Sequence, residues 1–238
     1  KKIIKLKKKY NLFVIEDCAE QLGQTYYKKP IGSFGDISTF SFFANKHITT
    51  GEGGMIVTNN KNLYRKFLEY RNICFSLSKS RFIHDDIGWN YRITNLQAAI
   101  GCAQLKKLKK FIRKKRLIGK IYTKELKNFK NIKLPIKSTE YSKNIYWVYS
   151  IIIKNKKIDA KRFMKILKSR GIESRPFFCP MHMQPIIKKN KLITKEKYPI
   201  SEEIYKYGFY VPSGIGNTLS EIKIVIKNIK EILKNNFV

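Results

Sequence analysis

S-F-G-D-I-S-T-F-S-F-F-A-N-K-H-I-T-T-G-E-G-G-M-I-V-T-N, residues Ser33 to Asn59, holds Lys46 at its centre. Thr39 to Phe43 leads in as an apolar, aromatic run. Gly51, Gly53 and Gly54 then make a bend, and Met55 to Thr58 reads as a short strand. Most lysines of the chain lie in clusters with other lysines, whereas Lys46 lies between an aromatic strand and a glycine-rich turn. An amine kept partly out of water is less stable as an ammonium. Its pKa falls, and it becomes a nucleophile able to form a Schiff base. A lysine is ordinarily a plain surface charge, so the neighbours decide.

Outward from this stretch the chain alternates helix and strand. Lys1 to Tyr10 places Ile3, Leu6 and Tyr10 on one helical face, and Asn11 is a left-handed stop. Leu12 to Ile15 is an apolar run short enough for a buried strand, ending in Glu16 and Asp17. A helix feeding such a strand is the pattern of an α/β unit, and ligands gather at the C-terminal ends of its strands. Asp17 is either a solvated acid or helix cap, or a carboxylate that keeps a ring nitrogen protonated. Gly23 to Gly32 reads as loop and Ile37 to Phe43 as strand. The Ser41 hydroxyl in that strand needs a partner if buried, either a carbonyl or a phosphate.

Asn59 or Asn60 caps a helix over Leu63 to Tyr70, and Arg71 to Asp86 is a long loop. Thr94 and Gln97 form a capping box. Behind it Leu96, Ala99, Ile100, Ala103, Leu108, Phe111 and Ile112 make one apolar stripe, interleaved with a basic run, Lys106 to Lys115, expected to be a solvated face. After about residue 120 the texture becomes that of a small α+β domain. Strands are expected at Asn131 to Pro135, Trp147 to Ile153 and Glu173 to Phe178. Helices are expected at Lys161 to Lys168, at Ser201 to Tyr207, and behind a capping box of Thr218 and Glu221.

With 238 residues and 43% hydrophobic content the chain can bury a sizeable core. No apolar run is long enough to span a membrane. The first ten residues carry six lysines, which excludes a secretory apolar segment there. Cys18, Cys74, Cys102 and Cys179 are far apart and read as reduced cytosolic thiols, with no zinc site and no metal site expected. The net charge of +33 by itself suggests nucleic acid or an acidic membrane as partner. However, nine of the 50 basic residues are arginine and the other 41 are lysine, spread along the whole chain. Specific phosphate and base readers favour the arginine fork. A coding bias toward lysine and isoleucine accounts for the charge, and no nucleic-acid partner is expected.

Four pieces stand in order: E-D-C-A-E (Glu16 to Glu20), the Ser33 to Gly54 stretch, W-N-Y-R-I-T-N-L-Q-A-A-I-G (Trp89 to Gly101), and G-I-E-S-R-P-F-F with M-H-M-Q-P (Gly171 to Pro185). Together they resemble the DegT/DnrJ/EryC1/StrS family of pyridoxal-phosphate-dependent sugar aminotransferases over essentially the whole chain. The likeness is greatest to members that aminate a GDP-linked sugar. It implies an α/β chain of fold-type I (aspartate aminotransferase-like). Residues 1–118 would form part of a large domain with a mostly parallel sheet, and residues 119–238 a small C-terminal α+β domain. It also implies a cytoplasmic homodimer with shared active sites.

Carried over by position, Lys46 is the lysine that bonds the pyridoxal 5′-phosphate as a Schiff base. Asp17 pairs with the ring nitrogen, Ser41 with the cofactor phosphate, and Glu20 approaches the ring hydroxyl at a position often occupied by glutamine. Asn90 reaches the phosphate of the neighbouring subunit's cofactor. His47, Arg175 and His182 line the substrate side, although Arg175 also fits a simple salt bridge and His182 an ordinary packed histidine. Glutamate is the implied amino donor and a nucleotide-linked 4-keto-6-deoxy sugar the acceptor, in surface polysaccharide or O-antigen synthesis. The related sugar 3-dehydratases carry histidine at the place of Lys46, which favours transamination here. GDP and C4 amination are favoured, with UDP, dTDP and C3 left open. Family members are longer at the N-terminus by roughly 100–150 residues. That portion holds part of the phosphate cradle, so an inactive or split-enzyme fragment stays as the alternative, with a basic nucleic-acid binder behind it.

Overall fold

The computed structural model describes residues 1–75, 82–190 and 196–235. The chain divides into two compact units. The first comprises residues 1–112 and 138–147, the second 113–137 and 148–238.

In the first unit α1 (Lys2–Tyr10) ends at Asn11, whose φ of 49° and ψ of 46° give the expected left-handed stop. β1 follows at Ile15–Asp17, then the hairpin β2 (Thr25–Tyr26) and β3 (Lys29–Pro30), then β4 (Ile37–Ser41) and β5 (Gly54–Val57). β1 pairs in parallel with β4, Asp17 opposite Thr39, and β4 pairs antiparallel with β5, Ser41 opposite Gly54. The expected buried strand over Leu12 to Ile15 is corrected on two counts. The strand starts three residues later and takes in both acids, and Leu12, Phe13 and Ile15 are all exposed. Its start is set by Asp36, which accepts the Val14 N–H through Oδ2 at 2.8 Å while its own N–H donates to the Val14 carbonyl at 2.8 Å. Lys7 adds an ion pair to Asp36 at 2.6 Å. These donors hold the Asp36 carboxyl below its ordinary pKa, the Lys7 hydrogen bond first among them.

The expected Gly23 to Gly32 loop is the β2–β3 hairpin. Its two central residues, Tyr27 and Lys28, both have positive φ, 46° and 68°. α2 (Lys61–Arg71) is capped by Asn60, whose side chain accepts the N–H groups of Asn62 and Leu63. The capping box of Thr94 and Gln97 opens α3 (Asn95–Leu105). The single stripe expected behind it is broken: α4 (Leu108–Leu126) is a separate helix, and Leu96, Ile100 and Leu105 are exposed. Of the expected loop from Arg71 to Asp86, residues 76–81 lie outside the described residues.

The chain passes into the second unit within α4. There β6 (Ile132–Lys133), β7 (Tyr149–Ile153), β8 (Arg175–Pro176) and β9 (Gly208–Val211) form an antiparallel sheet in the order β6-β7-β9-β8. β7 alternates, burying Tyr149, Ile151 and Ile153, as a strand with one covered face must. α5 (Ala160–Ser169) is capped by Asp159, and α6 (Pro185–Lys189) and α7 (Pro199–Tyr207) follow. α8 (Leu219–Asn235) opens on the Thr218–Glu221 capping box and buries Ile222, Val225, Ile226, Ile229, Ile232 and Leu233. The basic run was expected to be solvated throughout, yet Lys115 is buried in this unit. Its Nζ donates to the Ser213 carbonyl at 2.6 Å, and burial lowers its pKa to about 8.

Candidate active site

The antiparallel turn from β4 to β5 and the parallel pairing of β1 with β4 have one geometric result. Asp17 and Ser41 end neighbouring parallel strands, and the loop 42–53 leaves the sheet at that same end. This is where an α/β sheet offers side chains to a ligand. The loop is built by its own backbone. Phe42 accepts the Thr50 N–H at 2.9 Å and donates its N–H to the Gly53 carbonyl at 2.9 Å, and Lys46 donates its N–H to the Phe43 carbonyl at 3.0 Å. Gly53 has φ of 132°, and an added Cβ would stand 2.9 Å from Thr50 Oγ1, so the bend requires glycine. From α3, Gln104 accepts the Thr49 N–H at 3.0 Å, fixing the loop's far side.

Within this frame the Lys46 side chain is 12% exposed. Its Nζ lies 3.7 Å from Glu20 Oε1 and 4.5 Å from the centre of the Trp147 ring. Trp147 is anchored in turn, its indole N–H donating to the Asn45 carbonyl at 3.0 Å. The amine thus stands between a carboxylate and an aromatic face. Glu20, in the turn after β1, is raised above its ordinary pKa. Partial burial is the largest cause, and the Lys46 charge works against it. One oxygen of Asp17 accepts the Ala19 N–H at 3.0 Å. Ser41 Oγ accepts the Phe43 N–H at 3.3 Å, which leaves its own proton to donate. Glu16, the other acid at this strand end, is structural. It accepts the N–H groups of Gly32, Phe34 and Gly35 and so folds the 32–35 loop onto β1.

His47 follows Lys46 in the same loop. His47 is buried, 4% exposed, with Nε2 3.2 Å from the Ile145 carbonyl. Asn90 is exposed, accepts the Arg92 N–H at 3.4 Å and bridges to Asn72 through its backbone. Arg175 and His182 belong to the second unit. Arg175 is exposed on β8, opposite Tyr210. His182 Nε2 lies 2.9 Å from Glu202 Oε1 on α7, with its ring beside Tyr198. Trp147 went unremarked in the sequence except as the start of a strand. It is 101 residues from Lys46, and no local pattern links the two.

A primary amine out of water, a strand-end carboxylate and a hydroxyl beside it form a donor set suited to an aldehyde-bearing, phosphorylated pyridine ring. Among the described residues no group of three or more His, Cys, Asp or Glu could hold a metal ion. No described helix is long and apolar enough to cross a membrane.

The family described as the DegT/DnrJ/EryC1/StrS aminotransferase family matches residues 1–230. A GDP-perosamine synthase of Escherichia coli O157:H7 is 40% identical over 96% of this chain and 60% of its own length. One from Vibrio cholerae is 40% identical over 93% of this chain and 59% of its own. Among solved structures, the Helicobacter pylori PseC aminotransferase involved in pseudaminic acid biosynthesis superposes with a TM-score of 0.89 at 26% identity, covering 98% of this chain and 62% of that one. The chain therefore spans about 60% of the length of the curated relatives it matches.

Proposed function

The chain belongs to the DegT/DnrJ/EryC1/StrS aminotransferase family, and from that membership we propose that it carries the lysine side of a pyridoxal-phosphate-dependent nucleotide-sugar aminotransferase. Its architecture is that of the fold-type I transferases. The amino donor is glutamate. The acceptor is a 4-keto-6-deoxy sugar linked to GDP, in the synthesis of a surface polysaccharide, as the names of the two synthases support. The observation that carries the reading is the Lys46 amine, largely withdrawn from water in the loop that leaves the sheet after β4, between Glu20 and Trp147.

When bound, the cofactor supplies the aldehyde carbon that takes up the amino group and the ring that stabilises negative charge. The chain's own residues do the rest. Lys46 would hold the cofactor through Nζ and, as a free amine, would take up and return a proton at the reacting carbon. Asp17 would keep the ring nitrogen protonated by charge pairing, Glu20 would serve the ring hydroxyl, and the Ser41 hydroxyl would donate to the phosphate. Asn90 serves the phosphate of a second protomer, in a cytoplasmic homodimer with shared sites. Arg175 and His182 serve the sugar nucleotide. For His47 the buried ring and its carbonyl partner support a framework role beside Lys46.

The test is amination itself. A chain completed at its start with the corresponding residues of the Escherichia coli relative is given glutamate, the cofactor and a panel of GDP-, UDP- and dTDP-linked keto sugars. Mass spectrometry should find a new amine on the GDP sugar, lost in Lys46→Ala. Equal turnover by Lys46→Ala, or no product from any sugar, contradicts the proposal.

A further inference from the structure

In the second unit a cavity of about 480 Å³ lies between α4 and α8. That is the size of a small-ligand pocket. Ile121 of α4 and the buried Ile226 of α8 give it an apolar lining, and α8 adds a row of lysines, Lys223, Lys227, Lys230 and Lys234. Residues four, three and four positions apart share one face of a helix, and like charges at those spacings repel. Two carboxylates also reach the cavity, and each already holds a cation. Glu125 accepts from Lys230 Nζ at 2.5 Å, and that bond is the main cause holding its carboxyl below its ordinary pKa. Glu231 pairs with Arg170 at 2.8 Å. Lys223, Lys227 and Lys234 are exposed, and among the described residues none of the three forms an ion pair or a hydrogen bond.

We propose that this cavity binds a small polyanion, bearing phosphate or carboxylate groups, on the ammonium groups of Lys223, Lys227 and Lys234. The site shares no residue with the one around Lys46. An anion seated there relieves the repulsion along α8, which Lys230 alone escapes through Glu125. The isoleucines keep water from one side of the bound ion, and exclusion of water strengthens its attraction to the ammoniums. The net charge of +33 draws anions to the chain from all sides. The cavity differs because it gathers unpaired charges around a walled space. Lys161 and Lys165 on α5 provide the contrast: they have the spacing of Lys223 and Lys227 and are equally exposed, but they do not line the cavity.

The test is calorimetric binding of inorganic triphosphate and of citrate at fixed ionic strength, to the parent and to two double variants. Lys223→Gln with Lys227→Gln empties the row, whereas Lys161→Gln with Lys165→Gln removes the same charge at the same spacing from α5. The first should bind about tenfold more weakly, and the second should stay within about twofold of the parent. Equal losses in the two variants mean that overall charge holds the anion, and they overturn the proposal. So does the absence of binding by both anions at millimolar concentration. Acetylation of lysines, read peptide by peptide, locates the bound ion. The reaction should slow at Lys223 and Lys227 by about threefold with the anion at twice its Kd, and stay unchanged at Lys161 and Lys165. Uniform protection overturns the proposal. A single-stranded oligonucleotide that displaces both anions and depends on the same two lysines would make the occupant a nucleic acid and overturn the small-ligand assignment. Neither measurement involves Lys46 or a cofactor, so failure here leaves the functional reading standing.

Discussion

Glu20 and Lys46 act on each other across 3.7 Å, and the carboxylate is half in and half out of water. Burial raises Glu20 and Lys46 lowers it, with burial the larger effect. One residue elsewhere has a testable pH signature. Lys115 is buried and lowered to about 8 from an ordinary 10.5. Below about pH 8 both folded and unfolded states carry its proton, and the buried charge opposes folding. Between there and 10.5 the folded state has released the proton and the unfolded chain has not, so stability rises with pH by roughly 3 kcal/mol over that window. Urea midpoints should climb between those pH values in the parent and climb less in Lys115→Met. Parallel slopes would rule the lysine out as the cause. Lys46, Ser41 and Asp17 were singled out in the sequence, the first two from one local string of strand, lysine and glycine turn, and Asp17 from the end of the strand before it. Trp147 was not, because its contact is made across 101 residues and no periodicity reports it. Lys115 was hidden for the opposite reason: its neighbours in a basic run are exposed, and only tertiary packing singles it out.

Helices were read correctly where a cap announced them. Asn60 accepts two N–H groups at the start of α2, and the boxes at Thr94 and Thr218 open α3 and α8. Each cap satisfies backbone donors that the helix cannot, so Asn60→Ala should destabilise by about 1 kcal/mol in a denaturant titration, and no loss would show the cap to be idle. α8 buries Ile229 completely, and Ile229→Ala there should cost about 2–5 kcal/mol by the same measurement. A cost below 1 kcal/mol would mean that the site collapses around the gap. Elsewhere local signals misled. The β2–β3 hairpin turns on Tyr27 and Lys28, both at positive φ, where asparagine and glycine are the usual signs. The stripe read through α3 and α4 is broken at Lys106 and Lys107, because apolar spacing does not record where a helix ends. The β1 run was apolar enough to be taken for a buried strand. Its register instead follows from Asp36, a polar anchor 22 residues away.

For the whole molecule, charge and exposed apolar surface pull in opposite directions. The net charge of +33 keeps chains apart, while Ile15, Met55, Ile56, Leu96 and Ile100 lie exposed in the first unit. Salt screens the repulsion and leaves the apolar attraction, so light scattering should grow as salt is raised toward about 0.5 M. Scattering that falls with salt would point to charge-driven association instead. The central claim, an amine built to bond an aldehyde cofactor, is tested most directly by adding pyridoxal 5′-phosphate to the chain, reducing with borohydride and mapping the tagged peptide. The account predicts one dominant tag, on Lys46, absent in Lys46→Ala and weakened in Asp17→Asn. A tag spread evenly over the other lysines, or undiminished in Lys46→Ala, would contradict it.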